Sequence, residues 1–256
     1  MGNMLVNVLV FAVTQGLNGA LETLVSQSFG AKKFEACGIF LNRGKIICTL
    51  LFIPVIFLFS YSDKILIALH QNAEISTVAR MYCCVLIPGV WAQSMFDATR
   101  RFLSAQFETT IPLYVQLFTL ILHFFWCWLF VTKMDGREVG AAMATNITYI
   151  LNFIIIECVC CFKPSLKGTY QGIPDRRALR NMCEYLKIGI PGACMLCFEW
   201  WCFELLAIFS GLMSVEALAA EVIIVNLVAL IFMVPLGTAY AASAFTGVFL
   251  GRGKIN

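Results

Sequence analysis

The sequence predicts an all-α fold, a polytopic transmembrane helical bundle of about seven spans. Three observations support this prediction: the composition, the length of the apolar blocks, and the distribution of basic residues between those blocks. Hydrophobic residues make up 60% of the 256 residues, whereas charged residues make up only 13%. Because soluble domains carry about a quarter charged residues, a soluble fold of this composition would have too little polar surface to cover it.

The apolar residues are grouped in blocks that are long enough to cross a bilayer. About 20 apolar residues span the roughly 30 Å hydrocarbon core as a helix, and a helix is required because lipid offers backbone groups no hydrogen-bond partner. The third block is the weakest, since it contains Arg80, Pro88, Gln93 and Asp97. The predicted spans are residues 4–28, 46–61, 78–98, 111–132, 139–162, 188–212 and 217–238, and the last can continue to residue 250.

Basic residues alternate between the two sides of this bundle. Most of the 18 lysines and arginines follow the first, third, fifth and seventh spans, and the opposite side has only Lys64, Arg80, Lys133 and Arg137. Basic loops favour the cytoplasm, so the chain is expected to start outside. The polar segment 164–187 is predicted to be a cytoplasmic linker. It would join an N-terminal transmembrane lobe, residues 1–163 lacking its first helix, to the start of a truncated second lobe, residues 188–256.

Two helices share a pattern of small residues. Gly16 is followed by Ala at +4, Gly at +14 and Lys at +17, and so is Gly237. The offset from Gly16 to Gly237 is 221 residues, and an even number of spans between them indicates a parallel repeat of six helices, an arrangement that transporters use. Chance similarity between two helices rich in small residues is the alternative.

Three segments carry a resemblance to a known family. They are GLNGALETLVSQSFGAK at 16–32, PGACMLCFEWWCFE at 191–204 and MVPLGTAYAAS at 233–243. They resemble the second, seventh and eighth helices of the eukaryotic type of multidrug and toxic compound extrusion (MATE) family, in family order. The Glu-Trp-Trp-x-x-Glu segment is the most specific of them. By this resemblance the seven spans correspond to helices two to eight of twelve, arranged in two six-helix lobes.

The resemblance implies a secondary active transporter. Such an antiporter exports organic cations, drugs or other xenobiotics by alternating access, in exchange for protons in preference to Na⁺. The implied partners are therefore the small substrate, the coupling proton and the lipid bilayer, with no nucleic acid, no cofactor and no metal. The expected location is the plasma membrane or an internal membrane such as that of the vacuole.

Two glutamates in the sixth span are candidate coupling residues. An ionisable side chain at bilayer depth is costly and is a functional candidate by default. Glu199 lies near the middle of its span, where burial is expected and where a carboxylate could exchange a proton for a cation. Glu204 points about 140° away and lies about 7.5 Å further along the axis. One carboxylate is therefore expected to face the cavity and the other a neighbouring helix.

Further polar and aromatic residues complete the candidate site. Trp200 could stack on a flat cation, although ordinary packing is the alternative. Asn226 lies near mid-depth of the last span, where, as the resemblance implies, some family members carry a glutamate; asparagine cannot ionise. Glu22, in the segment similar to the second helix, fits a structural and a functional role equally. Asp97 and Arg100 are expected to pair near the cytoplasmic end.

Two other interpretations stay open. A seven-helix receptor has the same topology, but Asp-Arg-Tyr does not follow the third span and Asn-Pro-x-x-Tyr is missing from the seventh. The repeat at an offset of 221 residues also has no place in such a receptor. An inactive, truncated transporter fragment fits the missing helices. An enzyme is disfavoured because neither a His/Cys/Asp cluster nor a nucleotide-binding loop is present.

Overall fold

The computed structural model describes residues 5–68, 73–172 and 176–253. The regular secondary structure in these ranges is helical, which confirms the all-α prediction. Two short 3₁₀ turns, Pro164–Leu166 and Arg176–Leu179, lie in the segment before the last two helices. The main helices of the described ranges are α1 Asn7–Gly30, α2 Phe34–Ser60, α3 Ser62–Ala68, α4 Ala73–Ser104, α5 Thr110–Lys133, α6 Arg137–Phe162, α7 Met182–Met213 and α8 Val215–Gly251.

Six of these helices are long and apolar enough to cross a membrane, and α4 is the predicted span that is not among them. At 32 residues and about 1.5 Å per residue, α4 is long enough to cross, but charged and polar residues such as Arg80, Gln93 and Asp97 lower its mean hydropathy. Those charges have partners. Arg80 pairs with Asp63 at 3.4 Å, and Asp97 pairs with Arg100, as the sequence predicted, and with Arg101. Ion pairing allows a charged helix to lie among apolar ones.

Two helices begin earlier than the apolar blocks indicate. The helix α2 starts at Phe34, well before the span predicted at 46–61, and includes Arg43 and Lys45. Arg43 Nε donates a hydrogen bond to the Ala178 carbonyl at 3.3 Å, and Lys45 Nζ lies 2.7 Å from the Glu157 carboxylate. These partners let charges that look like loop residues remain inside a helix. The helix α7 likewise starts at 182, so the end of the predicted linker 164–187 is helical.

The hydrophobic core is built around α1. This helix packs against α2, α4, α7 and α8. Its side chain Leu21 is fully buried together with Leu41 of α2, Phe96 and Phe102 of α4, and Tyr185 of α7. The Tyr185 hydroxyl also donates a hydrogen bond of 2.9 Å to the Leu17 carbonyl. Because α1 contacts helices on both sides of the 164–187 segment, it fixes how α7 and α8 sit against the first six helices.

The segment between α6 and α7 is docked on α2 and α6. Leu166 is buried, and the Tyr170 hydroxyl donates a hydrogen bond of 2.6 Å to Glu157 of α6. Gly38 of α2 allows the close approach, because a Cβ there would lie 2.6 Å from the Thr169 carbonyl oxygen. This part of the predicted linker is therefore packed on the bundle.

Candidate functional site

A cluster of four charged residues lies between α1 and α4. The guanidinium of Arg101 lies 3.2 Å from the Glu22 carboxylate and 3.1 Å from Asp97, and Arg100 also pairs with Asp97. Glu22, Asp97 and Arg101 are buried. Two acidic and two basic groups balance formally, and buried charges persist in proteins when they are paired in this way.

Polar neighbours extend this cluster to three helices. Asn18, one turn before Glu22 on α1, donates a hydrogen bond of 2.9 Å to Asp97. On the other side, Arg101 Nη2 donates a hydrogen bond of 3.3 Å to the hydroxyl of Tyr240, and its guanidinium carbon lies 5.0 Å from the centre of the Tyr240 ring. Since Tyr240 belongs to α8, the cluster joins α8 to α1 and α4.

One oxygen of Glu22 is incompletely satisfied. Its Oε2 accepts the bond from Arg101, whereas its Oε1 is buried with no hydrogen-bond partner among the described residues. Ser243 of α8 is a further polar neighbour of this carboxylate. A buried acceptor without a partner costs free energy. The Ser243 hydroxyl is thus the nearby group that can donate a hydrogen bond to this carboxylate in addition to Arg101.

The predicted coupling residue Glu199 lies on the face of α7 that is turned away from α1. The residues Gly189, Ala193 and Cys197 form the packed side, and a Cβ on Gly16 would lie 2.2 Å from the Ala193 Cα. Glu199 lies two residues beyond Cys197, so its side chain is rotated by about 200° around the helix axis relative to that of Cys197. Its side chain is exposed. The expectation of a buried carboxylate is thus not met in the described part of the chain, because α1 covers the opposite face.

Glu204 occupies a different side of the same helix. It lies seven residues after Cys197 and hence within about 20° of the face that packs on α1. Its side chain is half-buried, as is that of Trp200. The neighbouring indole of Trp201 donates a hydrogen bond of 3.2 Å to the Val8 carbonyl and helps to anchor α7 to α1. Glu199 and Glu204 therefore face different surroundings.

The predicted site residues do not form one site in the described structure. Asn226 is exposed on α8, and its side chain donates a hydrogen bond of 2.8 Å to the Val222 carbonyl of its own helix. Glu22 belongs to the charged cluster. Among the described residues, no hydrogen bond or ion pair joins it to Glu199, Glu204 or Asn226. Glu22 and Glu199 are thus parts of separate places in the molecule.

Sequence reasoning missed Arg101 and Tyr240. Arg101 follows the predicted span 78–98 and therefore looks like a loop residue, although its spacing of four residues from Asp97 is the spacing at which helical ion pairs form. The contact of Tyr240 with Arg101 could not be predicted from a local sequence pattern, because the two residues lie 139 positions apart.

A second polar cluster was also missed. Glu157 of α6 contacts Lys45 at 2.7 Å, Thr99 at 2.6 Å and Tyr170 at 2.6 Å. Glu157 could have been found from the sequence, because a carboxylate inside a predicted span is a functional candidate by default. Burial and the bond to Glu157 raise the pKa of Tyr170 far above the usual value. The contacts tie the segment between α6 and α7 to the bundle.

Comparison with known proteins gives consistent results at the levels of sequence and fold. The MatE family model matches residues 1–129 and 191–256, more than half of the chain. The chain is 34% identical to Protein DETOXIFICATION 16 of Arabidopsis thaliana over 246 residues, covering 95% of this chain and 50% of that protein. It is 35% identical to Protein DETOXIFICATION 3 of Arabidopsis thaliana over 253 residues, covering 96% of this chain and 52% of that protein.

Solved structures match the same helical arrangement. The eukaryotic MATE transporter AtDTX14 superposes with a TM-score of 0.89 at 29% identity, covering 98% of this chain and 56% of that one. A mutant of the Vibrio cholerae MATE transporter VcmN superposes with a TM-score of 0.80 at 17% identity, covering 98% and 57%, and this match shows the fold. The chain thus spans about half the length of the relatives it matches.

These matches agree with the residues that first indicated the family. The segments with Glu22, Glu199 and Tyr240 lie within the two matched stretches. Together with the six apolar helices, the matches identify an integral, multi-pass membrane protein. The chain belongs to the MatE family of transporters.

Proposed function

We propose that the chain forms part of a secondary active transporter that exports organic cations and other xenobiotics in exchange for protons. The observation that carries this proposal is the position of Glu199, an ionisable side chain in an apolar span, on the α7 face turned away from α1. Such a group in a membrane helix marks a pathway for ions or substrates. The membership in the MatE family supports transport, and the similarity to the DETOXIFICATION proteins supports export of xenobiotics.

The chemistry proposed for Glu199 is competition between a proton and a cation for one carboxylate. When the cavity faces the cytoplasm, the cationic substrate binds the ionised carboxylate and the proton leaves. When the cavity faces outside, where protons are more abundant, protonation removes the attraction and the substrate leaves. Alternating access then couples the two flows, because each state of the carboxylate holds only one of the two ligands.

The neighbouring residues have supporting roles in this proposal. Trp200 would offer an aromatic face to a flat cation. Glu204 would stabilise the packing of α7 on α1, since it lies near the packed face and is half-buried. Asn226 can donate and accept hydrogen bonds but cannot ionise, so it would orient substrate without carrying a proton. The lobes are proposed to comprise residues 1–163 and 188–256, joined by the linker 164–187, of which the last residues belong to α7.

A chimera tests this function in a chain of full family length. Residues 1–256 replace the matching segment of AtDTX14, and the purified chimera is placed in vesicles. A pH gradient that drives uptake of a fluorescent organic cation, and loses this ability when the gradient is collapsed, supports proton-coupled antiport. A chimera that inserts and folds but carries no gradient-dependent flux contradicts it and favours an inactive segment. Unmodified AtDTX14 is the control for the assay.

A further inference from the structure

The helices α5 and α6 bring together a thiol and an imidazole that the proposed transport chemistry does not use. Cys127 Sγ lies 3.3 Å from His123 Nε2, and His123 Nδ1 lies 2.9 Å from Thr148 Oγ1. Cys127 and His123 are four residues apart on α5, a spacing that places two side chains on the same face of a helix. Thr148 approaches from α6. The three side chains therefore form a row of thiol, imidazole and hydroxyl.

A hydrogen bond of Thr148 to its own helix determines where the protons of this row lie. The Thr148 hydroxyl donates to the Ala144 carbonyl at 2.9 Å, and a hydroxyl has only one proton to donate. Its oxygen therefore accepts a hydrogen bond from the ring of His123, so Nδ1 carries the ring proton. In a neutral imidazole the other nitrogen is then an acceptor. Nε2 accordingly accepts a hydrogen bond from the Cys127 thiol.

This direction of the hydrogen bonds is the one that makes a thiol nucleophilic. A nucleophile is activated when its proton points at a base and a third group orients that base. Here Nε2 of His123 is the base, and Thr148 is the group that orients the ring. Because the thiolate and not the thiol is the nucleophile, a base at 3.3 Å allows attack on carbon and removal of the proton to occur together.

A groove between α5 and α6 offers a small molecule room beside this row. It encloses about 520 Å³, and His123 and Thr148 belong to its wall. Cys127 is half-buried and lies one helical turn further along α5. Among the described residues that line the groove, the polar groups are hydroxyls, amides and the imidazole, and none of them has a fixed charge. The groove therefore suits a small neutral molecule.

We propose that Cys127 is a site of covalent modification by small neutral electrophiles of the α,β-unsaturated carbonyl class. The Cys127 sulfur forms a bond to the β-carbon, the π electron pair of the carbon–carbon double bond moves toward the carbonyl to give an enolate, and the thiol proton passes to His123 Nε2. The imidazolium then returns this proton to the α-carbon. The product is a thioether, and the step needs neither an oxidant nor a reductant. Thr148 is a positioning residue in this step.

Cys84 of α4 is a matched control in the same chain. It is half-buried like Cys127, but its thiol donates to the Phe59 carbonyl at 3.8 Å, and a backbone carbonyl is not a base for a thiol. The unmodified chain in liposomes is treated briefly with limiting N-ethylmaleimide, a membrane-permeant electrophile of the proposed class. Site-resolved mass spectrometry then gives the rates of both cysteines in one sample.

The two rates should differ strongly if His123 acts as a base. A positioned base contributes about 10²–10⁴-fold to a proton transfer, so Cys127 should react at least about tenfold faster than Cys84. His123→Gln keeps a polar side chain in the row, but an amide does not take up the thiol proton. This variant should lower the rate of Cys127 at least about tenfold and leave that of Cys84 unchanged. Equal rates of the two cysteines in the parent, or an unchanged rate of Cys127 in His123→Gln, overturn the proposal.

Two variants of Thr148 separate its positioning role from simple packing. Thr148→Val keeps the shape of the side chain and removes the oxygen that accepts from Nδ1, whereas Thr148→Ser keeps this oxygen. The rate of Cys127 should fall in the first variant and stay near that of the parent in the second. Equal rates in both variants overturn the role of Thr148. These rates do not measure transport, so a chimera without flux leaves the modification site standing, and an unreactive Cys127 in an active chimera refutes only this site.

Discussion

The guanidinium of Arg101 lies between the Glu22 carboxylate at 3.2 Å and the Tyr240 hydroxyl at 3.3 Å. This single side chain, itself in α4, thereby links α1, from the beginning of the chain, to α8, close to its end. A charge in such a position has two roles, since it neutralises buried carboxylates and it holds two parts of the bundle together. Both roles lead to predictions that can be measured.

Removal of the Arg101 charge should strongly destabilise the protein. Arg101→Met leaves the buried Glu22 without its cation and Asp97 with only Arg100. Breaking a buried pair in this way costs about 3–5 kcal/mol. The measurement is thermal unfolding in detergent, followed by circular dichroism.

The double variant tests whether the loss comes from the unpaired charge. Arg101→Met with Glu22→Gln should be more stable than Arg101→Met alone, because the two residues are coupled and their effects do not add. If the double variant is as unstable as the sum of both single variants, the pair does not interact in the way the structure indicates.

The orientation of the bundle is predicted from the basic residues. The linker 164–187 should be cytoplasmic, and residues 213–216, where α7 ends and α8 begins, should be outside. Single cysteines at Ser165 and Ser214, in a cysteine-depleted chain in intact cells, should differ in labelling by an impermeant maleimide: only the cysteine at 214 should react from outside. Labelling of the cysteine at 165 from outside would reverse the orientation.

The bond between Tyr170 and Glu157 should resist alkaline pH. An exposed tyrosine ionises near pH 10, but the raised pKa keeps the Tyr170 hydroxyl protonated and donating. Because the pKa of Tyr170 is raised in the folded state, its contribution to stability is complete below the unfolded value, declines as the pH rises above that value, and is gone above the folded value. In the folded protein at about pH 11, the tyrosinate absorbance should therefore be the same for the parent and for Tyr170→Phe.

The same variant reports on how the segment between α6 and α7 is held. Tyr170→Phe removes a hydrogen bond to a charged group, which is worth about 1.5–3 kcal/mol. Tryptic cleavage after Lys167 should become faster than in the parent. Tyr114→Phe is a suitable control, because this tyrosine is exposed on α5. Equal cleavage of the parent and Tyr170→Phe would show that other contacts hold the segment.

The spans could be predicted from the sequence because lipid imposes a simple requirement of length and apolarity. This requirement does not determine helix starts, since charged residues can continue a helix when a distant group neutralises them. Arg43 and Lys45 are such residues: their partners Ala178 and Glu157 are more than 100 positions away in the chain. No local pattern contains that information.

The candidate site was predictable in part for the same reason. Glu22 and Glu199 were identifiable because an ionisable side chain in an apolar span is conspicuous. Their surroundings were not, because burial of a carboxylate depends on which helix face is covered. The prediction that Glu199 and Glu204 face different surroundings followed from helical rotation alone, whereas the exposure of Glu199 and the Arg101 partner of Glu22 depend on tertiary packing.

The 256-residue chain by itself should show little or no transport. In the proposed mechanism the substrate cavity lies between two lobes, and α7 and α8 are the second-lobe helices in the described part of the chain. The measurement is uptake of an organic cation into vesicles that contain this chain, with empty vesicles as the background. Proton-driven flux well above that background would mean that the chain forms a complete pathway, alone or as an oligomer.

The central claim is that Glu199 exchanges a proton for a cation. Glu199→Gln keeps the shape of the side chain but cannot ionise, so in the chimera with AtDTX14 it should abolish uptake driven by a pH gradient. Glu204→Gln is the matched control on the same helix and should retain most of the uptake. The deciding measurement is this uptake at equal amounts of protein in the membrane. Loss with Glu199→Gln alone is the predicted result, whereas unchanged uptake with Glu199→Gln would contradict the account.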